Sequence, residues 1–280
     1  MKNISLIIIA TFAFQYSFAQ TPSCCSASST QAFAMLSGNK NFVASHDAPL
    51  PFTFESTNGK MTAIKTLGNI TNAYLIKAKK STNNYIIIIH EWWGLNDYIK
   101  QEAARVQQEL GNVNVIAIDL YDGNVAGNAD SAASYMQQVK ETRCREIING
   151  VIDYAGKKAR IATLGWCFGG GWSLQATLLC KQQAAGCVMY YGMPELDPNK
   201  LKPLPCPVLG IFATKDDWIN PKMVKQFELV MKNTGKQLIV KNYDAAHAFA
   251  NPSNPKYNAV AANDAHTQEI DFFKKMFLLK

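Results

Sequence analysis

The chain has 280 residues, of which 48% are hydrophobic and 18% are charged. This apolar content suffices for a large core and excludes a disordered, collagen-like or coiled-coil protein. The formal net charge is +7, but the longest basic runs are pairs such as Lys79-Lys80, so we expect a solvated basic surface and no nucleic-acid partner. The seven cysteines are an odd number, so at least one thiol must lie outside any set of intrachain disulfides.

Residues 1–19 have the pattern of a secretory signal peptide. A start that contains Lys2 is followed by an apolar stretch at residues 4–14, and the small residues Ser17 and Ala19 precede a candidate cleavage site. The apolar stretch is shorter than the roughly 20 residues that span a membrane. We therefore predict an exported protein, periplasmic or secreted, without stable membrane insertion after the signal is removed. A buried N-terminal element and lipidation near Cys24 remain as alternatives.

Residues 20–50 are predicted to form an N-terminal tether. The serine-rich residues 21–30 indicate a flexible segment, and a weakly helical pattern follows at residues 31–45. Prolines and Asp47 mark a boundary at residues 47–51. We expect a single domain at residues 51–280.

Strands and helices alternate throughout that domain. Residues 61–66 and 73–78 have the pattern of short antiparallel strands, and residues 85–89 are apolar on both faces, which is typical of a central parallel strand. The later elements continue the alternation: helices at 96–110, 130–155 and 257–279, and strands at 113–118, 160–164, 187–191, 208–213 and 238–240. This order predicts an α/β fold with a mostly parallel, doubly wound sheet and helices on both faces.

The candidate nucleophile is Cys167, in the run Gly165-Trp166-Cys167-Phe168-Gly169. The run follows a predicted strand and precedes a helical pattern, so it fits the G-x-nucleophile-x-G elbow, in which the flanking glycines prevent clashes between strand and helix. The dipole of the following helix would stabilise a thiolate. The composition predicts only about 0.03 chance occurrences of Gly-x-Cys-x-Gly. The alternative is a buried, inert cysteine.

An acid and a histidine follow in the chain order that such an elbow requires. Asp216 comes after the predicted strand at 208–213, and His247 comes after the strand at 238–240. We predict that His247 takes the Cys167 proton and that Asp216 holds the imidazole. Asp217 is a rival for the acid, and each residue alone has an ordinary structural explanation.

Among the other histidines, we expect His46 and His266 at the surface. His90 and Glu91 end the strand at 85–89, where a carboxylate is costly without a partner. Because no second histidine lies at ligand spacing, we predict no metal site there.

The backbone N–H groups of Trp92 and Phe168 are candidates for an oxyanion hole. Trp93 fits a core aromatic residue better than a functional one.

From about residue 51 onward, the chain resembles the dienelactone hydrolase family of α/β-hydrolases. The similarity rests on six runs in family order: His90 to Asn96, Asp119-Leu120-Tyr121, Gly165 to Gly170, Tyr190-Tyr191-Gly192, Lys215 to Ile219 and His247 to Ala250.

The resemblance implies a triad of Cys167, His247 and Asp216, with Glu91 holding the resting thiol and helping to generate the thiolate. It also implies hydrolysis of esters or lactones through an acyl thioester, without a metal or organic cofactor.

The chain departs from this family at two places. Two arginines bind a substrate carboxylate in the founding activity, and Gly123 and Asn251 stand at those places here. Arg143 or Arg145 are possible replacements. Since each lost charge-assisted contact is worth about 1.5–3 kcal/mol, we expect a neutral or aromatic small-molecule ester or lactone. The candidate pocket walls are aromatic: Trp92, Phe168, Trp218 and Phe249.

Two other functions are compatible with parts of this pattern. Class I glutamine amidotransferases also place a cysteine on such an elbow, but they carry an acid two positions after the histidine, where this chain has Phe249. A non-catalytic exported binding protein on the same fold is the other alternative.

Overall fold

The computed structural model describes residues 27–56 and 58–279. The predicted signal peptide and Cys24-Cys25 therefore lie outside the described residues. The described part contains an eight-stranded sheet in the order β1-β2-β4-β3-β5-β6-β7-β8. The strands are β1 Gly59–Lys65, β2 Ile70–Ile76, β3 Asn84–Ile89, β4 Asn114–Ile118, β5 Arg160–Trp166, β6 Ala184–Tyr190, β7 Val208–Ala213 and β8 Leu238–Tyr243.

The sheet begins with an antiparallel pair and continues in parallel. Strand β2 pairs antiparallel with β1 and β4, whereas β4, β3, β5, β6, β7 and β8 pair in parallel. In β3, Ile86 to Ile89 are fully buried, because a central parallel strand is covered on both faces. The predicted antiparallel start and parallel α/β sheet are confirmed.

Helices cover the sheet. They are α1 Ser29–Ala34, α2 Lys40–Ala44, α3 Asp97–Leu110, α4 Ala129–Gln138, α5 Glu141–Ala155, α6 Phe168–Cys180, α7 Pro198–Leu201, α8 Pro221–Asn233 and α9 Ala259–Phe277. Helix α3 packs with α9 and α5 packs with α6, and each pair contacts strands of the sheet. Where the sequence predicts one helical segment at 130–155, the extended backbone of Val139 and Lys140 divides it into α4 and α5.

Residues 29–46 form a folded unit, here called the N-terminal helical segment. It contains α1, a 3₁₀ turn at Met35–Gly38 and α2, and the side chains of Ser28 and Asn39 cap α1 and α2. Helix α1 packs on α6 and the 3₁₀ turn packs on α4. The helical pattern expected at 31–45 is present as α1 and α2. Because Phe33 and Phe42 are buried, this part of the predicted extension is not a flexible tether: its apolar side chains dock onto the sheet domain.

The sequence alone does not show which cysteines form disulfides. In the described structure, four cysteines besides Cys167 are free, buried thiols, namely Cys144, Cys180, Cys187 and Cys206. Among residues 27–56 and 58–279, none of the helices combines the length and the apolar character required to cross a membrane.

Candidate active site

The candidate site is built on the sharp turn between β5 and α6. Cys167 lies in this turn with φ 55° and ψ −117°, a strained conformation for a residue with a side chain. A Cβ on Gly165 would lie 2.1 Å from the carbonyl oxygen of Gly169, and a Cβ on Gly169 would lie 2.2 Å from that of Ile89. Both flanking glycines are therefore required by close backbone approach, as the elbow pattern predicts.

The structure brings Cys167, His247 and Asp216 together in a hydrogen-bonded chain. The Cys167 Sγ lies 3.3 Å from His247 Nε2, and His247 Nδ1 lies 2.7 Å from Asp216 Oδ2. A carboxylate oxygen only accepts, so Nδ1 carries the proton and Nε2 presents its lone pair to the thiol. This arrangement can remove the thiol proton.

Asp216, rather than Asp217, reaches the imidazole. The Oδ1 atom of Asp216 also accepts the backbone N–H groups of Trp218 at 2.8 Å and Ile219 at 2.9 Å, whereas Asp217 is exposed. Burial opposes the charge of Asp216, but His247 and these backbone donors outweigh it and lower the pKa of the carboxyl.

Burial and neighbouring charges act in opposite directions on Cys167 and His247. Burial raises the pKa of the Cys167 thiol, against the lowering effect of His247, so the resting group is a thiol that needs a base. Burial by itself would lower the pKa of His247, but Asp216 and then Cys167 raise it well above the usual value. A more basic imidazole is a better proton acceptor.

Glu91 lies beside this chain with partners of its own. Its carboxylate accepts hydrogen bonds from the Asn251 amide and, at 3.3 Å, from the Tyr191 hydroxyl. Burial raises the pKa of Glu91 to about 7, although His247, Asn251 and Tyr191 lower it. The implied role of holding the resting thiol is not what the structure shows, since the Cys167 sulfur bonds to His247 and Asn251 reaches the carboxylate instead.

The two candidate oxyanion donors follow neighbouring strands. Trp92 comes after β3, and Phe168 is the first residue of α6, where its N–H faces the Cys167 sulfur. His90 joins the ends of β3 and β4: its Nδ1 donates to the Glu91 carbonyl at 2.5 Å, and its Nε2 accepts the N–H of Leu120 at 3.1 Å. His90 therefore has a structural role: it connects the segments that follow β3 and β4.

The structure places two of the predicted pocket-wall residues in different environments. Trp218 is partly exposed beside His247 and lines a small cavity with it. Phe249 is fully buried and packs on Tyr191 and Tyr243. Tyr191 in turn packs against His247. Phe249 therefore lies behind Tyr191 as a core residue and does not form a pocket wall.

Phe42 and His46 are not predicted as site residues, but the N-terminal helical segment places both beside the triad. The Phe42 ring packs edge-on against Trp92 and Trp218, with centroids 5.4 and 5.3 Å apart. The His46 ring lies 5.4 Å from that of His247. Burial, and next the charge of His247, lower the pKa of His46 to about 3, so this imidazole is neutral. The sequence signal for this docking is weak, being two phenylalanines in a short helical pattern.

The predicted surface position is therefore wrong for His46, and it is also wrong for His266. His266 is buried, with Nε2 2.9 Å from Glu109 Oε1. It lies between α9 and α3, where the helix-helix contact covers the imidazole and a carboxylate satisfies it.

The family model described as "Dienelactone hydrolase family" matches residues 71–277. The chain belongs to the dienelactone hydrolase family. It is similar to protein usf of Aquifex pyrophilus, with 29% identity over 68% of this chain and 87% of that protein. It is also similar to the carboxymethylenebutenolidase of Pseudomonas sp. (strain P51), with 23% identity over 75% of this chain and 92% of that protein.

A solved structure supports the fold. The dienelactone hydrolase-like promiscuous phosphotriesterase from metagenomic libraries has a TM-score of 0.68 and 19% identity, and the match covers 78% of this chain and 98% of that one. As a member of the dienelactone hydrolase family, the protein is a hydrolase of ester or lactone bonds.

The two candidate replacements for the family's substrate-binding arginines are paired elsewhere. Arg143 binds Asp122, with 2.6 Å between Nη2 and Oδ1, and Arg145 binds Glu141 at 2.8 Å. Asn251, at one of the two family positions, binds Glu91. These contacts do not support a replacement carboxylate clamp from Arg143 or Arg145.

Proposed function

We propose that this family member is an exported cysteine hydrolase that cleaves a neutral ester or lactone through an acyl thioester on Cys167. The observation that carries the proposal is the chain from Cys167 Sγ through His247 to Asp216, with contacts of 3.3 and 2.7 Å, at a strained elbow. Nucleophile, base and orienting acid at hydrogen-bond reach are the parts that covalent acyl transfer needs.

In the first half-reaction, His247 Nε2 takes the Cys167 proton and the sulfur attacks the carbonyl carbon. The N–H groups of Trp92 and Phe168 stabilise the oxyanion. When the carbon–oxygen bond breaks, His247 returns the proton to the leaving alkoxide, which becomes a free alcohol for an ester or stays attached to the acyl group for a lactone.

In the second half-reaction, water replaces the alcohol. His247 takes a proton from water as the oxygen attacks the thioester, and the carbon–sulfur bond breaks to give a carboxylic acid and regenerate Cys167. Asp216 holds the ring orientation and stabilises the imidazolium in both halves.

Glu91 is proposed to adjust the charge beside this chain. Because the pKa of Glu91 is about 7, the carboxyl can be neutral or charged near physiological pH. The neutral form removes a negative charge that opposes the Cys167 thiolate, whereas the charged form supports the His247 imidazolium.

The preference for a neutral acyl group follows from the missing arginines. Gly123 and Asn251 replace them, and Arg143 and Arg145 are occupied by carboxylates. Export is part of the proposal and rests on residues 1–19; N-terminal sequencing of the protein recovered outside the cytoplasm should begin at Gln20.

The test is hydrolysis of p-nitrophenyl acetate by the purified protein and its variants. We expect Cys167→Ser and His247→Ala to lose at least about 10²-fold in kcat/KM, and Cys206→Ser, which changes a buried thiol elsewhere, to retain the parent rate. Mass spectrometry of the parent quenched during turnover should find an acetyl group on Cys167. Equal rates in all variants would refute the thiol mechanism and favour a non-catalytic binding protein.

A further inference from the structure

His46 has a buried nitrogen whose hydrogen-bonding capacity is unused. Its side chain is 4% exposed, and its Nε2 has no hydrogen-bond partner among the described residues. A buried polar atom left in this way costs about 1–3 kcal/mol. Such an atom in a native structure calls for an explanation, and a bound ion is one of the known explanations.

His46 belongs to a cluster of three potential ligands. The ligand atoms of His46, Cys167 and His247 all lie within 4.8 Å of one another, and the Cys167 sulfur is already 3.3 Å from His247 Nε2. Ligand atoms around a tetrahedral zinc ion lie about 3.3–3.6 Å apart. Even the most distant pair of these atoms would need to approach by only about 1 Å to complete a three-ligand set.

Both imidazoles are oriented as metal ligands usually are. Nδ1 of His46 donates to the Phe42 carbonyl at 2.7 Å, and Nδ1 of His247 donates to Asp216 at 2.7 Å. A backbone carbonyl or carboxylate on Nδ1 fixes the tautomer that leaves the Nε2 lone pair free, which is the typical outer-shell arrangement of histidine ligands.

We propose that His46, Cys167 and His247 form a binding site for a thiophilic divalent cation of the Zn²⁺ class. One thiolate and two imidazoles suit Zn²⁺, and three protein ligands leave a fourth position for water. On binding, the Cys167 thiol releases its proton and the sulfur bonds to the ion. The negative charges of Cys167 and Asp216 then balance the ion in this buried site.

The cation has a route to the two imidazoles of the site. A small cavity is lined by His46 and His247 together with Lys215, Asp217 and Trp218, and it reaches the surface because Lys215 and Asp217 are exposed. The sequence shows no ligand spacing for this site, since its three ligands come from distant parts of the chain that meet only after the N-terminal helical segment docks.

A consequence, which rests on the proposed function, is that one bound Zn²⁺ blocks hydrolysis. The ion occupies both the sulfur that attacks the carbonyl and the imidazole that takes the proton. Hydrolysis should stop at one equivalent of Zn²⁺ and recover fully when a chelator removes it.

The direct test is titration with Co²⁺, whose visible spectrum reports the ligands. The Cys24→Ser/Cys25→Ser chain serves as parent, because the adjacent thiols of Cys24 and Cys25 also offer metal ligands. We expect one equivalent of Co²⁺ to produce thiolate charge-transfer bands and the d–d bands of four-coordinate cobalt, and excess Zn²⁺ to displace it. Cys206→Ser is the matched control and should leave the titration unchanged.

The decisive variants change His46. His46→Ala and His46→Gln should weaken Co²⁺ binding at least about tenfold, and His46→Cys should restore it with a second thiolate band. Circular dichroism confirms that each variant is folded. Unweakened binding in both His46→Ala and His46→Gln would overturn the proposal, as would the absence of cobalt bands in the parent. Because the bands do not depend on turnover, a parent that binds Co²⁺ but hydrolyses no ester would refute the proposed function alone.

Discussion

The ring of Phe42 packs edge-on against Trp218, with 5.3 Å between their centroids. Phe42 comes from α2 of the N-terminal helical segment, whereas Trp218 follows the sheet strand that also leads to Asp216. The contact, together with that of Phe42 on Trp92, covers the turn that holds Cys167, which is 1% exposed. The segment outside the sheet domain is therefore a wall of the candidate active site.

Phe42→Ala should open this wall. Removing a fully buried phenylalanine costs about 3–5 kcal/mol, and the loss falls on the docking of α2 over the triad. We expect iodoacetamide to alkylate Cys167 several-fold faster, as measured by mass spectrometry of Cys167 peptides. Met35→Ala is the matched control, since Met35 lies in the same segment and is 71% exposed. An unchanged alkylation rate in Phe42→Ala would contradict the role of the segment as a wall.

Asp216→Asn and Asp217→Asn should differ strongly in kcat/KM although the two residues are adjacent in the chain. Asp216 bonds to His247, so its amide variant loses the charge that supports the imidazolium, and kcat/KM should fall roughly 10³-fold. Asp217 is exposed, and its variant should stay within about twofold. The measurement is p-nitrophenyl acetate hydrolysis at several substrate concentrations, and a comparable loss in both variants would argue against Asp216 as the orienting acid.

The sheet and the triad residues could be found from sequence because strand order determines where loops meet. Apolar strands such as the one at β3 alternate with helical patterns, so Cys167, Asp216 and His247 were each expected at the same edge of a parallel sheet. The sequence favours Asp216 but leaves Asp217 as a rival, because only the direction of the loop decides which of the two side chains faces the imidazole.

Other features depend on tertiary contacts that leave little trace in local sequence. Val139 and Lys140 break the helical segment at 130–155 without a proline or glycine to mark the break. The docking of Phe42 and His46 onto the triad is a long-range contact of a weakly helical region, and local propensity does not predict such contacts. The buried position of His266 is hard to predict for the same reason, since its partner Glu109 belongs to another helix.

Gly165→Ala should prevent the elbow from closing. Its new Cβ would meet the Gly169 carbonyl oxygen at 2.1 Å, which forces β5 and α6 apart and should cost at least about 3 kcal/mol of unfolding free energy. Gly68→Ala is the control, because a Cβ there has no heavy atom within 4 Å among the described residues. Urea unfolding measures both variants. Equal stability would mean that the close approach of β5 and α6 is not required.

Glu91→Gln should change how stability depends on pH. The pKa of Glu91 is raised from 4.5 to about 7 by burial, so the native state binds more protons than the unfolded state between these values. The contribution of Glu91 to the free energy of unfolding should therefore fall as pH rises through this window, by about 3 kcal/mol in total. Glutamine does not ionise, so the variant lacks this fall.

The measurement is urea unfolding of parent and variant at pH 4.5, 6, 7 and 8. The stability of Glu91→Gln relative to the parent should increase steadily with pH and level off above about pH 8. Glu55→Gln, which changes an exposed carboxylate, should remain parallel to the parent throughout. A difference between Glu91→Gln and the parent that is constant with pH would show that the pKa of Glu91 is not raised in the native state, and it would remove the support for a neutral carboxyl beside the Cys167 thiolate.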